Sequence, residues 1–220
     1  MPVSRRLVLA ALVVVVVLGA LGAAVRACAG PPSVADRVAD PTWQVTVYYT
    51  AVESYHRDAT VQVVGCRTRQ CQQGTDELGR YPRDFVTAVR EEGTGRITSG
   101  PHAGGYLNWS HNVGYWLDDA PRDAHGRPLE PLRSAAADGI PDGTRLRMLG
   151  CGRLDSGDPV PGRVCRTFRD ANWEIRDQFT PGRGGDNHID LYVGEESEPD
   201  YTASAVLYVA LTDARFDLRA

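Results

Sequence analysis

Lysine is absent from this 220-residue sequence, and all 24 of its basic residues are arginine. Its 28 acidic residues outnumber them, so the formal net charge is −4. Residues 1–29 contain three arginines and no acid, which leaves a formal charge of −7 on the remainder. A chain with this balance lacks the basic surface on which nucleic-acid binding depends. Its guanidinium groups instead offer fork-shaped donors for carboxylates and sugar hydroxyl groups.

Internal repeats and low-complexity tracts are also absent. Beyond the N-terminal segment about 190 residues remain, enough for one domain with its own core. We therefore predict a signal peptide or membrane anchor at 1–29, a short linker at 30–42 and a single domain at 43–220.

Cysteine is scarce, and no CxxC pair occurs. Four cysteines follow residue 29, and their spacing predicts two local disulfides, Cys66–Cys71 and Cys151–Cys165, formed in an oxidising compartment. The alternative is a four-cysteine zinc site, which the irregular gaps and the missing CxxC pairs disfavour.

The N-terminal segment is typical of an exported protein. Arg5 and Arg6 precede an uninterrupted apolar run at 7–25, and Ala27-Cys28-Ala29 fits a signal-peptidase site. The run is close to the roughly 20 residues that span a bilayer, so cleavage and retention as an anchor both stay open. We expect an extracellular location, with membrane contact only through this segment.

Short strands separated by turn residues dominate the rest of the chain. β-branched and aromatic residues predict strands at 43–52, 59–66, 143–151, 164–177, 187–194 and 203–218, the last of which can begin as a helix. One helix is predicted at 82–93, where Phe85, Val86 and Val89 have helical spacing and Gly93 marks the end. Residues 97–132 are rich in glycine, proline and aromatics and predict turns between short strands. This pattern favours a barrel or a sandwich.

The stretch GGDNHIDLYVG carries the most unusual chemistry. Asp186, His188 and Asp190 alternate, so all three can face one side of a strand. A metal site completed by His102 or His111 is conceivable, but a hydrogen-bonded histidine fits better, and we predict no metal.

Three segments in a fixed order resemble a known family. RSAAADGIPDGTRLRM at 133–148, NWEIRD at 172–177 and GGDNHIDLYVG at 184–194 are similar to the three-aspartate (3D) domain of bacterial cell-wall proteins, which includes the catalytic domain of membrane-bound lytic transglycosylases. AVREEGTGRITSG at 88–100 and VTVYYTA at 45–51 resemble two further segments of that domain. The chain departs from it after Asp177, where QFTPGRGG is longer and bulkier than the usual glycine-rich turn.

The resemblance implies a mainly β fold, a six-stranded double-psi β-barrel, here with one short helix and an aromatic-rich loop insertion. It also implies a cell-wall location and cleavage of the bond between N-acetylmuramic acid and N-acetylglucosamine in peptidoglycan. Nothing in the sequence suggests a cofactor. Asp138, Asp177 and Asp190 occupy the family's three acidic positions. We assign Asp177 as general acid and base and Asp190 as its partner, on strand ends that adjoin if the 178–186 loop turns back as a hairpin. The acid needs a raised pKa, through burial or a neighbouring negative charge.

Aromatic residues near the middle of the chain suit a sugar, because flat rings cover its C–H faces while amides and arginines reach its hydroxyl groups. The predicted substrate-binding residues are Tyr106, Asn108, Trp109, Trp116 and His188. The competing interpretation is that several of these rings are core.

Two other functions stay open. The barrel can be a wall-binding module without turnover, in which the acids only cap turns, as Asp138 before Gly139 suggests. It can also be a glycoside hydrolase that uses Asp177 and Asp190 as two carboxylates and releases reducing ends.

Overall fold

The computed structural model describes residues 42–219, and the predicted signal or anchor segment lies outside the described residues. Within this range no helix is both long enough and apolar enough to cross a membrane. The described chain is mainly β. Its strands are β1 (Trp43–Val52), β2 (Thr60–Gly65), β3 (Asp76–Pro82), β4 (Thr94–Arg96), β5 (Tyr106–Ser110), β6 (Gly114–Asp118), β7 (Ser134–Ala137), β8 (Arg145–Gly150), β9 (Arg153–Leu154), β10 (Trp173–Asp177), β11 (His188–Glu195) and β12 (Leu211–Arg219).

Six of these strands close into a barrel. Their order around the ring is β1, β11, β7, β10, β8, β12 and back to β1. The β1/β11 and β7/β10 pairs are parallel, and the other four pairs are antiparallel. The closed six-stranded barrel of the predicted fold class is therefore confirmed.

Alternating side chains fill the barrel interior. In β1, Val45 and Val47 point inward, and Ile189 and Leu191 of β11 do the same beside them. Trp173 of β10 closes one side of this core. Burying each large apolar side chain contributes about 1.5–3 kcal/mol. The same alternation turns the intervening polar residues of β1 and β11 to the outer face.

A second sheet begins at the end of β1. Ala51 and Val52 pair in parallel with β4, which continues antiparallel into β5 and β6. The β5–β6 hairpin agrees with the prediction of turns between short strands at 97–132, and the aromatic residues of this segment lie in the paired strands. The separate β2–β3 hairpin packs against this sheet through Val63 and Leu78.

Helix α1 (Arg83–Glu92) confirms the helix predicted at 82–93. Phe85 and Val89 are fully buried against the second sheet. Gly93 ends the helix with φ of 90°, a left-handed conformation that favours glycine, and its N–H donates to the carbonyl oxygen of Val89 at 2.9 Å. The helix consequently ends at the edge of the barrel.

A second helix, α2 (Gly162–Asp170), corrects the strand predicted at 164–177. Only the second half of that segment is a strand, β10. Val164 and Phe168, four residues apart, bury one helical face in the barrel core, and the Trp173 indole N–H donates to the carbonyl of Phe168 at 2.8 Å. A third, four-residue helix, α3 (Tyr201–Ser204), precedes β12, and 3-10 turns occur at Glu53–Tyr55 and Gly100–His102.

Both predicted disulfides are present. Cys66–Cys71 closes a five-residue separation beside the second sheet, and Cys151–Cys165 ties the end of β8 to α2.

Candidate functional site

A cleft of about 340 Å³ opens on the outer face of barrel strands β1, β11, β7 and β10. The end of α1 and the β5–β6 hairpin form one wall. The loop at 119–133 and the loop at 178–187 form the others. Two of the three aspartates singled out in the sequence, Asp177 and Asp190, line this cleft.

The two aspartates flank one small residue. Asp190 of β11 and Asp177 of β10 are both in register with Ala136 of β7, which lies between their strands. Two interstrand spacings separate their backbones by about 9–10 Å. The expectation that they lie on adjoining strand ends is therefore wrong, because β7 is inserted between them.

A β-bulge turns Asp177 toward the cleft. Ile175 pairs with Ala135 and Asp177 with Ala136, so one extra residue, Arg176, stands in β10. Without it Asp177 would share the inward face of Ile175. The bulge re-aims the carboxyl group to the outer face.

Asp177 is held as a hydrogen-bond acceptor. Its Oδ1 accepts the N–H groups of Ala124 at 2.7 Å and Gln178 at 2.9 Å, and its Oδ2 accepts the Tyr48 hydroxyl at 3.1 Å. Burial raises its pKa above the usual value, and these three donors oppose that rise. The three hydrogen bonds favour the charged form of Asp177, whereas burial keeps its pKa raised.

The Ala124 donor depends on the folding of the 119–133 loop. Asp123 is buried there, and its Oδ1 accepts the N–H groups of His125 and Arg127 at 2.9 and 2.8 Å. The Arg127 guanidinium bonds Asp123 at 2.8 Å, Asp142 at 2.7 Å and the carbonyl oxygen of Arg176. These contacts attach the loop to the barrel.

Asp190 has fewer donors. Thr46, directly opposite in the β1/β11 register, donates its hydroxyl to Asp190 Oδ1 at 2.9 Å, and the N–H of Leu191 also bonds the carboxyl group. Burial raises the pKa of Asp190 to about 7; the Thr46 bond opposes the rise and the charge of Asp177 adds to it. Asp190 can therefore hold or release a proton near neutral pH.

His188 completes a short hydrogen-bonded chain. Its Nε2 lies 2.8 Å from Thr46 Oγ1. When Thr46 donates its one hydrogen to Asp190, its oxygen accepts from His188 Nε2–H, and this arrangement defines the tautomer. The Phe179 ring packs against the imidazole at a tilt of 36°, with 4.6 Å between ring centroids. Burial lowers the pKa of His188, and the charge of Asp138 opposes this. A neutral histidine thus orients Thr46 and, through it, Asp190.

The third predicted acid, Asp138, lies elsewhere. It follows β7, is exposed and does not line the cleft. Its Oδ2 sits over Gly184, where an added Cβ would be 2.0 Å away and also 2.6 Å from the Phe179 ring. Only glycine fits at 184. Because the Asp138 carboxyl group packs directly against this glycine, it helps to position the 178–187 loop.

The predicted substrate-binding residues separate into two groups. Trp109, Trp116 and His188 line the cleft. Trp116 is only 1% exposed, whereas Trp109 is half-buried and lies 5.9 Å from the Arg90 guanidinium. Asn108 is fully buried and donates to the carbonyl of Ala120, and Tyr106 donates to Glu195 away from the cleft.

Sequence reasoning missed several lining residues. Thr46 and Tyr48 have a recognisable signal, because they alternate with the inward Val45 and Val47 in β1. Glu92, the last residue of α1, had only the signal of an acid before a helix-ending glycine. Ala136 had no signal in the sequence, because it matters only through the strand order that places β7 between β10 and β11.

Across residues 42–219, no three side chains among His, Cys, Asp and Glu are grouped so that they could hold a metal ion. Asp186, considered with His188 and Asp190 in the sequence, is exposed in the 178–187 loop.

Neither a protein-family model nor a curated protein matches the sequence. Among solved structures, the chain is similar to the lytic transglycosylase MltA of Escherichia coli with bound chitohexaose, with a TM-score of 0.55 and 14% identity over 82% of this chain and 72% of that one. Weaker alignments reach a membrane-bound lytic murein transglycosylase of Agrobacterium tumefaciens (TM-score 0.46, 12% identity, 79% and 72% covered) and MltA of Neisseria gonorrhoeae (0.46, 11%, 80% and 72%). The first alignment shows that this chain has an MltA-like fold.

Proposed function

We propose that the protein is an exported, cell-wall-associated lytic transglycosylase that cleaves the bond between N-acetylmuramic acid and N-acetylglucosamine in peptidoglycan. One observation carries this proposal: Asp190 lies in the cleft of an MltA-like barrel, where burial raises its pKa to about 7. A carboxyl group with this pKa is about half protonated at neutral pH, so it can serve first as an acid and then as a base.

The hydrogen bonds favour Asp190 over Asp177 as this group, which reverses the roles assigned from the sequence. Asp177 accepts two backbone N–H groups and a tyrosine hydroxyl, an arrangement that stabilises its charged form. Asp190 accepts one hydroxyl and one N–H. An ionised Asp177 also helps to keep the proton on Asp190 through its charge.

The reaction needs one such carboxyl group. Protonated Asp190 gives its hydrogen to the bridging glycosidic oxygen, and the bond from that oxygen to C1 of the muramyl sugar breaks. The resulting Asp190 carboxylate then takes the proton of the 6-hydroxyl of the same sugar as that oxygen bonds to C1. The products are a free 4-hydroxyl and a 1,6-anhydro sugar, so no water is consumed. A two-carboxylate hydrolase would instead position a water or a nucleophile.

The remaining cleft residues fit the binding of a glycan. Trp109 offers a half-buried ring for the apolar face of a sugar, and Gln178 and Arg183 bring polar donors to the rim. Two disulfides and the apolar segment at 7–25 support an oxidising, extracytoplasmic location. Chitohexaose bound to the E. coli protein supports glycan as the ligand class.

Mass spectrometry of the soluble products from purified peptidoglycan tests the proposal. We expect fragments ending in 1,6-anhydromuramic acid from the wild-type protein and none from Asp190→Asn. Asp177→Asn should keep a reduced activity, about 10- to 100-fold lower, because it loses orientation and charge but not the proton donor. Asp170→Asn, an exposed acid at the end of α2, is the matched control and should cleave as the wild type does.

Other products would redirect the assignment. Reducing-end fragments would indicate a hydrolase, and binding to the wall without any fragments would indicate a binding module. Full activity of Asp190→Asn with none from Asp177→Asn would return the role of acid to Asp177.

A further inference from the structure

Glu92 is a third carboxyl group in the cleft, and the proposed reaction does not use it. It is the last residue of α1, half-buried, and lines the same cleft as Asp190. Its Oε2 accepts the backbone N–H of Tyr49 at 3.3 Å. One oxygen is thereby directed to β1, and within residues 42–219 the other oxygen accepts no backbone N–H.

The surroundings of Glu92 disfavour a negative charge. The C-terminal end of a helix carries the negative pole of the helix dipole. Burial is the largest cause that raises the pKa of Glu92, and the like charge of Asp190 on β11 is the second. Together they raise it to about 8. The Tyr49 N–H and the Arg183 guanidinium oppose the rise, and Glu91 on the same helix adds to it.

Three tyrosines from other elements also face this carboxyl group. Tyr49 of β1, Tyr201 of α3 and Tyr208 before β12 each have a raised pKa, first from burial and partly from the charge of Glu92. They stay uncharged wherever the protein is folded near neutral pH. The charge of Arg183, which comes from the exposed 178–187 loop, opposes the rise in the pKa of Glu92.

An aromatic platform lies beside Glu92. The backbone N–H of Trp109 donates to the carbonyl oxygen of the next residue after Glu92, Gly93, at 2.8 Å. Both side chains line the cleft on the wall formed by α1 and β5. A hydrogen-bond donor next to a flat ring is the combination that an N-acetylated sugar requires, because its acetamido carbonyl accepts a hydrogen bond while its ring stacks.

We propose that Glu92 is a substrate-binding residue that acts as an uncharged hydrogen-bond donor to an acceptor oxygen of an N-acetylated sugar, with the acetamido carbonyl as the group it fits. This rests on the proposed function, since it supposes that a glycan occupies the cleft. Glu92 stays protonated while Asp190 cycles between its two forms, so binding and proton transfer use different carboxyl groups.

The test compares glycan affinity at two pH values. Chitohexaose, in which every sugar is N-acetylated, is titrated calorimetrically into the wild-type protein and into Glu92→Gln, at pH 6.5 and pH 9.5. At pH 9.5 Asp190 is ionised in both proteins, and at pH 6.5 Glu92 is uncharged in the wild type as Gln is in the variant, so the difference between the two proteins reports on Glu92. We expect the wild-type affinity to fall about fivefold or more beyond any fall seen in Glu92→Gln, because loss of a neutral donor costs about 1 kcal/mol.

Glu92→Ala should bind weakly at both pH values, since it cannot donate at either. Glu77→Gln, an exposed acid of β3, is the control and should follow the wild type. Equal pH dependence of the wild type and Glu92→Gln would overturn the role of Glu92 and leave the proposed function untouched. Absence of chitohexaose binding to the wild type at both pH values would overturn the role of Glu92 toward an N-acetylated sugar, and the peptidoglycan products would still decide the proposed function separately.

A second measurement needs no variant. The side-chain carboxyl carbon of Glu92 is followed by NMR across the pH range in the wild-type protein. A midpoint near 8 is expected, whereas a midpoint near the ordinary value of about 4.3 would show a charged Glu92 and overturn the proposal without involving the glycan.

Discussion

At the scale of single residues, the buried carboxyl group of Asp190, which suits the proposed proton transfer, should lower the stability of the folded protein. The folded-state pKa of Asp190 is about 7, above the value of about 3.9 in an unfolded chain. A raised acid pKa contributes most stability below the unfolded value, and that contribution is lost as the pH rises through the folded value. Between about pH 4 and pH 7 the folded protein therefore binds more protons than the unfolded one, and its stability falls.

Asp190→Asn removes this titration, and we expect it to stabilise the protein at high pH. The gain in the free energy of unfolding should be small near pH 4.5 and grow to about 2 kcal/mol or more at pH 8, because the variant has no buried charge to form. Urea unfolding at the two pH values measures it. A gain that is the same at both pH values would mean that Asp190 titrates normally in the folded protein.

Thr46 lowers the pKa of Asp190. Because its hydroxyl bond has this effect, Thr46→Val should raise that pKa and move the alkaline limb of kcat/KM to higher pH by about half a unit or more. The maximum rate should fall about three- to tenfold, since the carboxyl group and His188 lose their shared partner. Thr46→Ser keeps the hydroxyl and should retain the wild-type profile. An unshifted limb in Thr46→Val would separate Thr46 from the titrating group.

The site could be predicted from sequence only in part at this scale. Asp177 and Asp190 were identified through their motifs, and the structure brings both to one cleft. Their different surroundings come from Thr46, Tyr48 and Ala124, which are 53 to 144 positions away in the chain. A motif contains the acid but not its distant donors, so the division of roles required the fold.

At the scale of elements, the 119–133 loop is the part that positions Asp177. Arg127→Ala would leave Asp123 buried without its cation and release the link to Asp142. We expect kcat/KM to fall about tenfold as Ala124 withdraws its N–H from Asp177. Hydrogen exchange at the Ala124 amide should accelerate in parallel. Arg153→Ala, which affects only an exposed contact with the carbonyl of Gly157, is the matched control. An unchanged Ala124 exchange rate would show that the loop keeps its position by other contacts.

The two disulfides should differ in their contribution to stability. Cys151–Cys165 spans 14 positions and Cys66–Cys71 spans five. Loop-closure entropy gives about 3 and about 2 kcal/mol, respectively. We therefore expect Cys151→Ala/Cys165→Ala to lower the free energy of unfolding by about 1 kcal/mol more than Cys66→Ala/Cys71→Ala. Urea unfolding of the two double variants measures the difference, and the reverse order would mean that native contacts outweigh chain entropy.

Local patterns predicted the elements that depend on local contacts. Strand β1 was predicted at its observed bounds, and α1 was recognised because Phe85 and Val89 repeat at helical spacing up to Gly93. Helix α2 was missed although Val164 and Phe168 have helical spacing, because the β-branched and aromatic residues that continue to Trp173 and Ile175 favour a strand over the whole segment. The β10 bulge that re-aims Asp177 is set by pairing with β7, which no local pattern contains.

At the scale of the whole molecule, charge opposes the proposed substrate. Residues 30–220 carry a formal charge of −7. Within this total, the cleft is lined by two arginines, Arg122 and Arg183, and by five acids, of which Glu92 is uncharged in the proposal above: Glu91, Glu92, Asp123, Asp177 and Asp190. Peptidoglycan carries carboxylates on its peptides, so approach is repulsive where the Debye length is long. That length falls from about 30 Å at 0.01 M salt to about 8 Å at 0.15 M. Salt should therefore assist the encounter, in contrast to proteins that steer an oppositely charged ligand.

We expect kcat/KM on peptidoglycan to rise about two- to fivefold between 10 and 150 mM sodium chloride, while calorimetric affinity for uncharged chitohexaose stays constant. Glu91→Gln removes an exposed charge at the cleft rim and should reduce this salt dependence, because repulsion acts most strongly where the polymer enters. An equal response of both ligands would trace the salt effect to the protein's own conformation. A fall in kcat/KM with added salt would mean that the arginines near the cleft, rather than the net charge, govern the approach of the wall polymer.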